Sequence, residues 1–167
     1  ARIDSPEPEK IPGEIQVRGE NVMKGYYKNP EATAAAFTDD GWLKTGDSGI
    51  MVGKRLFIKG RIKTMLLTAN GQNVYPEEIE SRLNNLPYVA ESVVVLRDFR
   101  LVAMVYPDMA ALAADQITPE KLASIMQENR NTLNNTVASY EKISQIELVE
   151  NEFEKTPKKS IKRFLYS

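Results

Sequence analysis

The chain has 167 residues, with 22 lysines and arginines against 23 acidic residues and a formal net charge of −1, so no global field is available to hold nucleic acid. Hydrophobic residues make up 42% and charged residues 27%, which reads as soluble and globular and suits one ordinary core or two small ones. With no cysteine and no histidine, disulfides, thiolate zinc sites, a cysteine nucleophile and a histidine general base are excluded within it.

The N-terminus, Ala1-Arg2-Ile3-Asp4, has no initiating Met and no charged-then-apolar signal pattern, so the chain reads as an excised fragment. No apolar run approaches the ~20 residues of a membrane helix. Residues 1–60 read as β with little helix. Glu14-Ile15-Gln16-Val17-Arg18 alternates polar and apolar as a half-buried strand does, with Gly13 and Gly19 as punctuation. Asn29-Pro30-Glu31 opens a short helix, Asp39-Asp40-Gly41 is a turn, and Trp42-Leu43 begins the next strand. Residues 55–59 close this part as a strand.

After Gly60-Arg61-Ile62-Lys63 the character changes to α+β. Met65-Leu66-Leu67 is a short strand, and Asn70-Gly71 signals a hairpin turn because both residues tolerate positive φ. Pro76 starts a helix with Ile79 and Leu83 on one face, and Pro87 lies beyond its end. Residues 91–96 and 101–106 are strands around the turn Arg97-Asp98-Phe99-Arg100. Thr118-Pro119-Glu120 starts a second helix with the apolar stripe Leu122, Ile125, Met126 and Leu133. Residues 143–149 form a third strand, and 155–163 are basic.

Three motifs carry candidate chemistry. In Thr45-Gly46-Asp47 the carboxylate can accept from both hydroxyls of a ribose, and a glycine lets backbone come close to a ligand. A solvated turn aspartate is the bland alternative. The planar fork of Arg61 can reach nucleotide oxygens, although on these four residues alone a surface strand end with two solvated cations is the better reading. The turn around Gly71 feeds a helix whose Glu77, Glu78 and Glu80 suit its N-terminal dipole. Those three carboxylates read as structural, and they show no metal-ligand spacing.

Taken in order, Trp42-Leu43-Lys44-Thr45-Gly46-Asp47, Gly60-Arg61-Ile62-Lys63 and Asn70-Gly71-Gln72-Asn73-Val74-Tyr75-Pro76-Glu77-Glu78-Ile79-Glu80 resemble the C-terminal third of the adenylate-forming (acyl-CoA synthetase, AMP-binding) superfamily. The resemblance runs from Gly13 to Arg163. It implies an α+β fold: the β-rich end of a large adenylation domain over residues 1–62, then a small C-terminal lid over 63–167. It assigns Asp47 to the ribose of ATP, Arg61 to the nucleotide, Lys63 to the hinge of the lid, and Gly71 to the loop that lines the coenzyme A tunnel. The family ends in Thr-Pro-x-Gly-Lys-x-x-Arg or Thr-Pro-x-x-Lys-x-x-Arg, whose lysine bridges the acid and the ATP phosphate. This chain reads Lys155-Thr156-Pro157-Lys158-Lys159-Ser160-Ile161-Lys162-Arg163, so Ser160 occupies the lysine column. Serine supplies no charge, which leaves Lys159 as the substitute, with Lys158 and Lys162 behind it. A solvated basic tail or an anionic-lipid patch is the alternative for this cluster.

The implied activity is ATP-dependent acid–CoA ligation by domain alternation, with fatty acid, ATP and coenzyme A as substrates. The Mg²⁺ ligands, phosphate loop and acyl pocket are then expected in an N-terminal part upstream. Bacterial long-chain fatty acid–CoA ligases look closest, on Lys63, the 73–80 run and the compact 93–106 hairpin. The implied location is cytoplasmic, with peripheral membrane contact as an option. The rivals are an adenylating enzyme for an aryl or amino acid, and a non-catalytic nucleotide-binding or interaction module.

Overall fold

The computed structural model describes residues 1–166. Four antiparallel strands, β1 (Arg2–Asp4), β2 (Gly13–Val17), β3 (Leu43–Val52) and β4 (Arg55–Arg61), form one sheet in the order β1-β2-β3-β4. Strand β1 was not anticipated, since three residues carry no readable period. Its approach to β2 depends on Gly13, where a Cβ would stand 2.0 Å from the Asp4 carbonyl oxygen. The alternation expected along β2 breaks at Gln16, which is 2% exposed. Its amide is satisfied inside: Arg2 Nε donates to Gln16 Oε1 at 2.7 Å, and Gln16 Nε2 donates to Asp4 Oδ2 at 3.3 Å. Helix α1 (Pro30–Ala36) starts as anticipated, with Pro30 in its first turn and Asn29 Oδ1 accepting from Ala32 N at 2.9 Å.

Trp42, at the mouth of β3, lies between two guanidinium groups. Arg2 and Arg18 each sit 4.6 Å from its ring centroid, a cation–π arrangement that fixes the entry to β3. Arg2 is itself held by Asp40, at 2.7 and 3.0 Å.

Cα packing divides the chain after Met65, close to the change of character at residues 60–63. The one-turn helix Ile62–Thr64 packs beside β3, which carries residues 63–65 with the first unit.

The second unit begins with a hairpin of β5 (Leu66–Leu67) and β6 (Asn73–Val74), followed by α2 (Pro76–Leu83). Its main sheet is β7 (Val89–Arg97), β8 (Arg100–Pro107) and β9 (Ile143–Leu148), in the order β7-β8-β9. Strands β7 and β8 are antiparallel around Asp98 and Phe99, whose φ values of 46° and 60° are both left-handed as a type I′ turn requires. Strand β9 runs parallel to β8, because α3 (Met109–Ala114) and α4 (Pro119–Asn134) intervene and return the chain to the same edge.

One face of this sheet packs on α2 and α4 through Ile79, Leu83, Val94, Val105, Met126 and Leu133. Asn129 joins the expected α4 stripe, 4% exposed and donating from Nδ2 to Pro87 O at 2.8 Å. The other face buries Val93, Val95 and Val102 under Phe153, with Tyr166 and Ile161 packed alongside. The C-terminal segment is therefore packed on the fold through Phe153, Ile161 and Tyr166, while Lys158 and Lys159 within it stay exposed. Among the described residues no helix is long and apolar enough to cross a membrane.

Candidate functional site

The Thr45-Gly46-Asp47 motif lies inside strand β3, as a bulge, where the sequence suggested a glycine turn. Gln16 pairs with Lys44 and Glu14 with Ser48, so Ile15 alone faces residues 45–47. Surplus residues on one strand must leave the pleat. Gly46 takes φ +73° to do so, a conformation that costs a residue with a Cβ about 1–2 kcal/mol. The bulge is closed by its own hydrogen bonds. Thr45 Oγ1 donates to Ile15 O at 2.7 Å, Gly46 N donates to Glu14 Oε1 at 3.0 Å, and Asp47 N donates to Thr45 Oγ1 at 3.1 Å.

The effect is to aim Asp47 at Arg61. The two are register partners across β3 and β4, with Arg61 Nη1 3.2 Å from Asp47 Oδ1 and 3.3 Å from the Thr45 carbonyl oxygen that accepts its proton. Both side chains reach solvent, at 37% for Asp47 and 61% for Arg61. The exposed pair adds little stability. What it provides is an acceptor and a forked donor side by side and open to a ligand. These are the two groups that a ribose diol and an anionic phosphate call for.

Lys63 is exposed within Ile62–Thr64. That turn is closed by Thr64 Oγ1 donating to Arg61 O at 3.1 Å and Met65 N donating to Ile62 O at 3.3 Å. Gly71 is at the exposed tip of the β5–β6 hairpin with φ +72° and nothing within 4 Å of where a Cβ would lie. Asn70 does not share the positive φ that the hairpin signal suggested. The reason is loop length. Thr68 N donates to Gln72 O at 3.0 Å, so Ala69, Asn70 and Gly71 span the loop and only its last residue turns left-handed.

Residues 156–160 form a second exposed turn. Thr156 N donates to Ser160 O and Lys159 N to Thr156 O, both at 2.8 Å. Lys159 has φ +61°. The glycine of the Thr-Pro-x-Gly-Lys pattern falls on this position, and the left-handed backbone explains why a glycine suits it. Lys158, Lys159 and Ser160 are all exposed, whereas Lys162 pairs with Glu154 at 3.0 Å.

The structure thus brings Asp47 and Arg61 together in the first unit, with Lys63 following them in the chain. It carries Gly71, Lys159 and Ser160 on the second. Sequence reasoning missed the buried pair between Glu80 and Arg163. Arg163 Nη1 donates to Glu80 Oε1 at 2.7 Å, and Nη2 donates to Oε2. Glu80 also accepts from Val94 N at 2.6 Å. Burial pushes the Glu80 carboxyl above its usual range, against the pull of Arg163 and the Val94 N–H. The signal was available: Glu80 lies four residues after Pro76 and three before Leu83, on the buried face of α2. Among the described residues no group of three or more acidic side chains is placed to hold a metal ion.

The first unit presents a carboxylate–guanidinium pair, and the second carries two exposed loops. The adenylation domain of a carboxylate reductase from Mycobacterium chelonae overlays 97% of this chain with 26% of its own, at a TM-score of 0.82 and 27% identity. Residues 63–166 match the family described as AMP-binding enzyme C-terminal domain, and the chain belongs to that family. The sulfoacetate–CoA ligase of Cupriavidus necator is 44% identical over 95 residues, 56% of this chain and 18% of that protein. 4-Coumarate–CoA ligase 1 of Solanum tuberosum is 44% identical over 89 residues, 53% of this chain and 16% of that protein. The matched stretches therefore span under a fifth of the length of either ligase, and the structural match about a quarter of the reductase domain.

Proposed function

We propose that this chain is the C-terminal part of an AMP-forming acid–CoA ligase and that it acts in both half-reactions. The observation that carries the proposal is the bulge at Gly46, which sets Asp47 against Arg61 within a chain of the AMP-binding enzyme C-terminal family. In the first half-reaction a carboxylate attacks the α-phosphate of ATP, giving acyl-adenylate and pyrophosphate. Asp47 accepts from the ribose hydroxyls and Arg61 donates to nucleotide oxygens, each exchanging part of its mutual ion pair for ligand. Lys159, at the tip of the C-terminal turn, supplies the cation that the Ser160 column lacks. In the second half-reaction the thiol of coenzyme A displaces AMP, with the Gly71 loop beside the pantetheine arm. The unit carrying both loops swings about Lys63 between the two steps. The attacking carboxylate is already ionised and a thiol of pKa ~8.5 deprotonates readily, so no histidine base is needed. Positioning and charge stabilisation do most of the catalysis. Mg²⁺ accompanies ATP, held by residues outside those described.

For the acid we propose a long-chain fatty acid, on Lys63, the 73–80 run and the hairpin spanning 93–106. The ligase relatives above are named for sulfoacetate and 4-coumarate, so those acids are the alternatives to test. The full-length protein, given ATP, Mg²⁺, coenzyme A and palmitate, sulfoacetate or 4-coumarate in turn, should release AMP and form an acyl-CoA most rapidly with palmitate. Turnover confined to either short acid would retain the ligase and reject the fatty acid. Release of ADP, or no thioester with any acid, would reject the ligase.

A further inference from the structure

The C-terminal turn is held by a device that its motif does not reveal. Residues 153–166 fold back on themselves, with Lys155 bridged to Ile161 and Lys162 N donating to Glu154 O at 2.8 Å. Phe153 meets Tyr166 edge-on with ring centroids 5.0 Å apart. This ring pair closes the base of the loop and leaves 157–159 as its exposed tip. From the returning arm Arg163 enters the interior and grips Glu80 with both Nη atoms. Glu80 is 6% exposed and also holds Val94 N, so one guanidinium ties the loop to α2 and β7 together. A second tie, Lys155 to Glu91 at 2.6 Å, is a point-charge contact with no fixed direction. A planar fork docked on a buried carboxylate does fix a direction.

We infer that Arg163 is a positioning residue for adenylation: acting through Glu80, and without touching substrate, it sets the place and direction at which the 157–159 tip is presented. This role presupposes the acid–CoA ligase reading above. Helix α2 does not depend on Arg163 for its own seat, since Ile79 and Leu83 are 1% and 0% exposed in the core. Loss of the fork therefore frees the tip while the Gly71 hairpin ahead of α2 stays in place. Misplacing a reacting group by roughly 1 Å costs on the order of 10²-fold in rate.

The test uses the full-length enzyme and two separate assays: acid-dependent ATP–pyrophosphate exchange, and thiolysis of a preformed acyl-adenylate by coenzyme A. Arg163→Met removes charge and fork. Arg163→Lys keeps a cation opposite Glu80 and carries the test should the Met variant unfold on heating. Exchange should fall about 10- to 100-fold in Arg163→Met and less in Arg163→Lys, with thiolysis within about twofold of wild type. Arg97→Ala, which breaks the exposed 2.5 Å pair with Glu147, should leave both assays alone. Equal loss in both assays would make Arg163 a fold-holding residue only, and loss in neither would remove it from the mechanism. A wild type without acid-dependent exchange would overturn the ligase reading and, with it, this role for Arg163.

Discussion

Replacing Glu80 by alanine takes its main partner from the Arg163 guanidinium, whose side chain is only 24% exposed, and leaves it Glu77 at 3.8 Å. Breaking a buried ion pair from one side costs about 3–5 kcal/mol, and the remaining Glu77 contact and partial access to water place this case at the lower end, about 3 kcal/mol. The Val94 N–H loses its acceptor as well, which adds about 1 kcal/mol. Glu80→Ala should therefore destabilise the second unit by about 4 kcal/mol. Removing both charges is gentler. The Glu80→Ala/Arg163→Met double variant leaves the Val94 donor, a small void and the partly exposed Glu77 without its 3.8 Å contact to Arg163, for a loss of about 2–3 kcal/mol. The interaction energy across the cycle should then reach at least about 2 kcal/mol. Urea unfolding followed by far-ultraviolet circular dichroism, with hydrogen exchange at Val94 to locate the effect, measures all four corners. Single losses that add within about 0.5 kcal/mol would show that Glu80 and Arg163 are energetically independent, and the clasp would fail as an account of how the C-terminal segment is held.

Three further outcomes are expected. Lys159→Gly should relieve the left-handed strain at φ +61° and leave thermal stability equal or slightly higher, while slowing adenylation by about 10²–10³-fold; unchanged adenylation in this variant and in Lys158→Ala would remove both lysines from the chemistry. Lys63→Pro in the full-length enzyme fixes φ at the proposed hinge and should slow thiolysis more than adenylation, whereas equal losses would make residue 63 a passive boundary. The Arg2 guanidinium, then the Thr38 hydroxyl, hold the Asp40 carboxyl down at about 2 against an ordinary 3.8. A lowered folded-state value means that this contribution is complete above the ordinary value and is lost as pH falls from about 4 towards about 2. Carboxyl NMR titration should show the Asp40 value return towards 3.8 in Arg2→Ala, and an unmoved titration would show that Arg2 is not its cause.

Much of the architecture was legible because it rests on local signals. Pro30, Pro76 and Pro119 each open the helix they were expected to open, and Asp98-Phe99 turns the hairpin between β7 and β8 as anticipated. The misses are non-local. The bulge at 45–47 exists only relative to the register of β2, so no period in β3 alone reveals it. Buried Gln16 broke an alternation that looked clean, because Arg2 and Asp4 satisfy it from a strand too short to recognise. The packing of the basic run at 155–163 was not legible because its charges outnumber its apolar residues. The apolar anchors that fold it down, Phe153 and Tyr166, lie just outside the run. At the candidate site, Asp47 and Arg61 were named from motif order, but their pairing needed the β3–β4 register.

In the proposed function the Gly46 bulge presents Asp47 and Arg61 to the nucleotide of an acyl-adenylating enzyme. Acid-dependent ATP–pyrophosphate exchange by the full-length protein, compared with its Asp47→Ala variant, tests that claim most directly. Exchange is expected in the wild type, with a fall of about 10²-fold or more in Asp47→Ala and a raised KM for ATP. Exchange in Asp47→Ala at the wild-type rate and KM would contradict it.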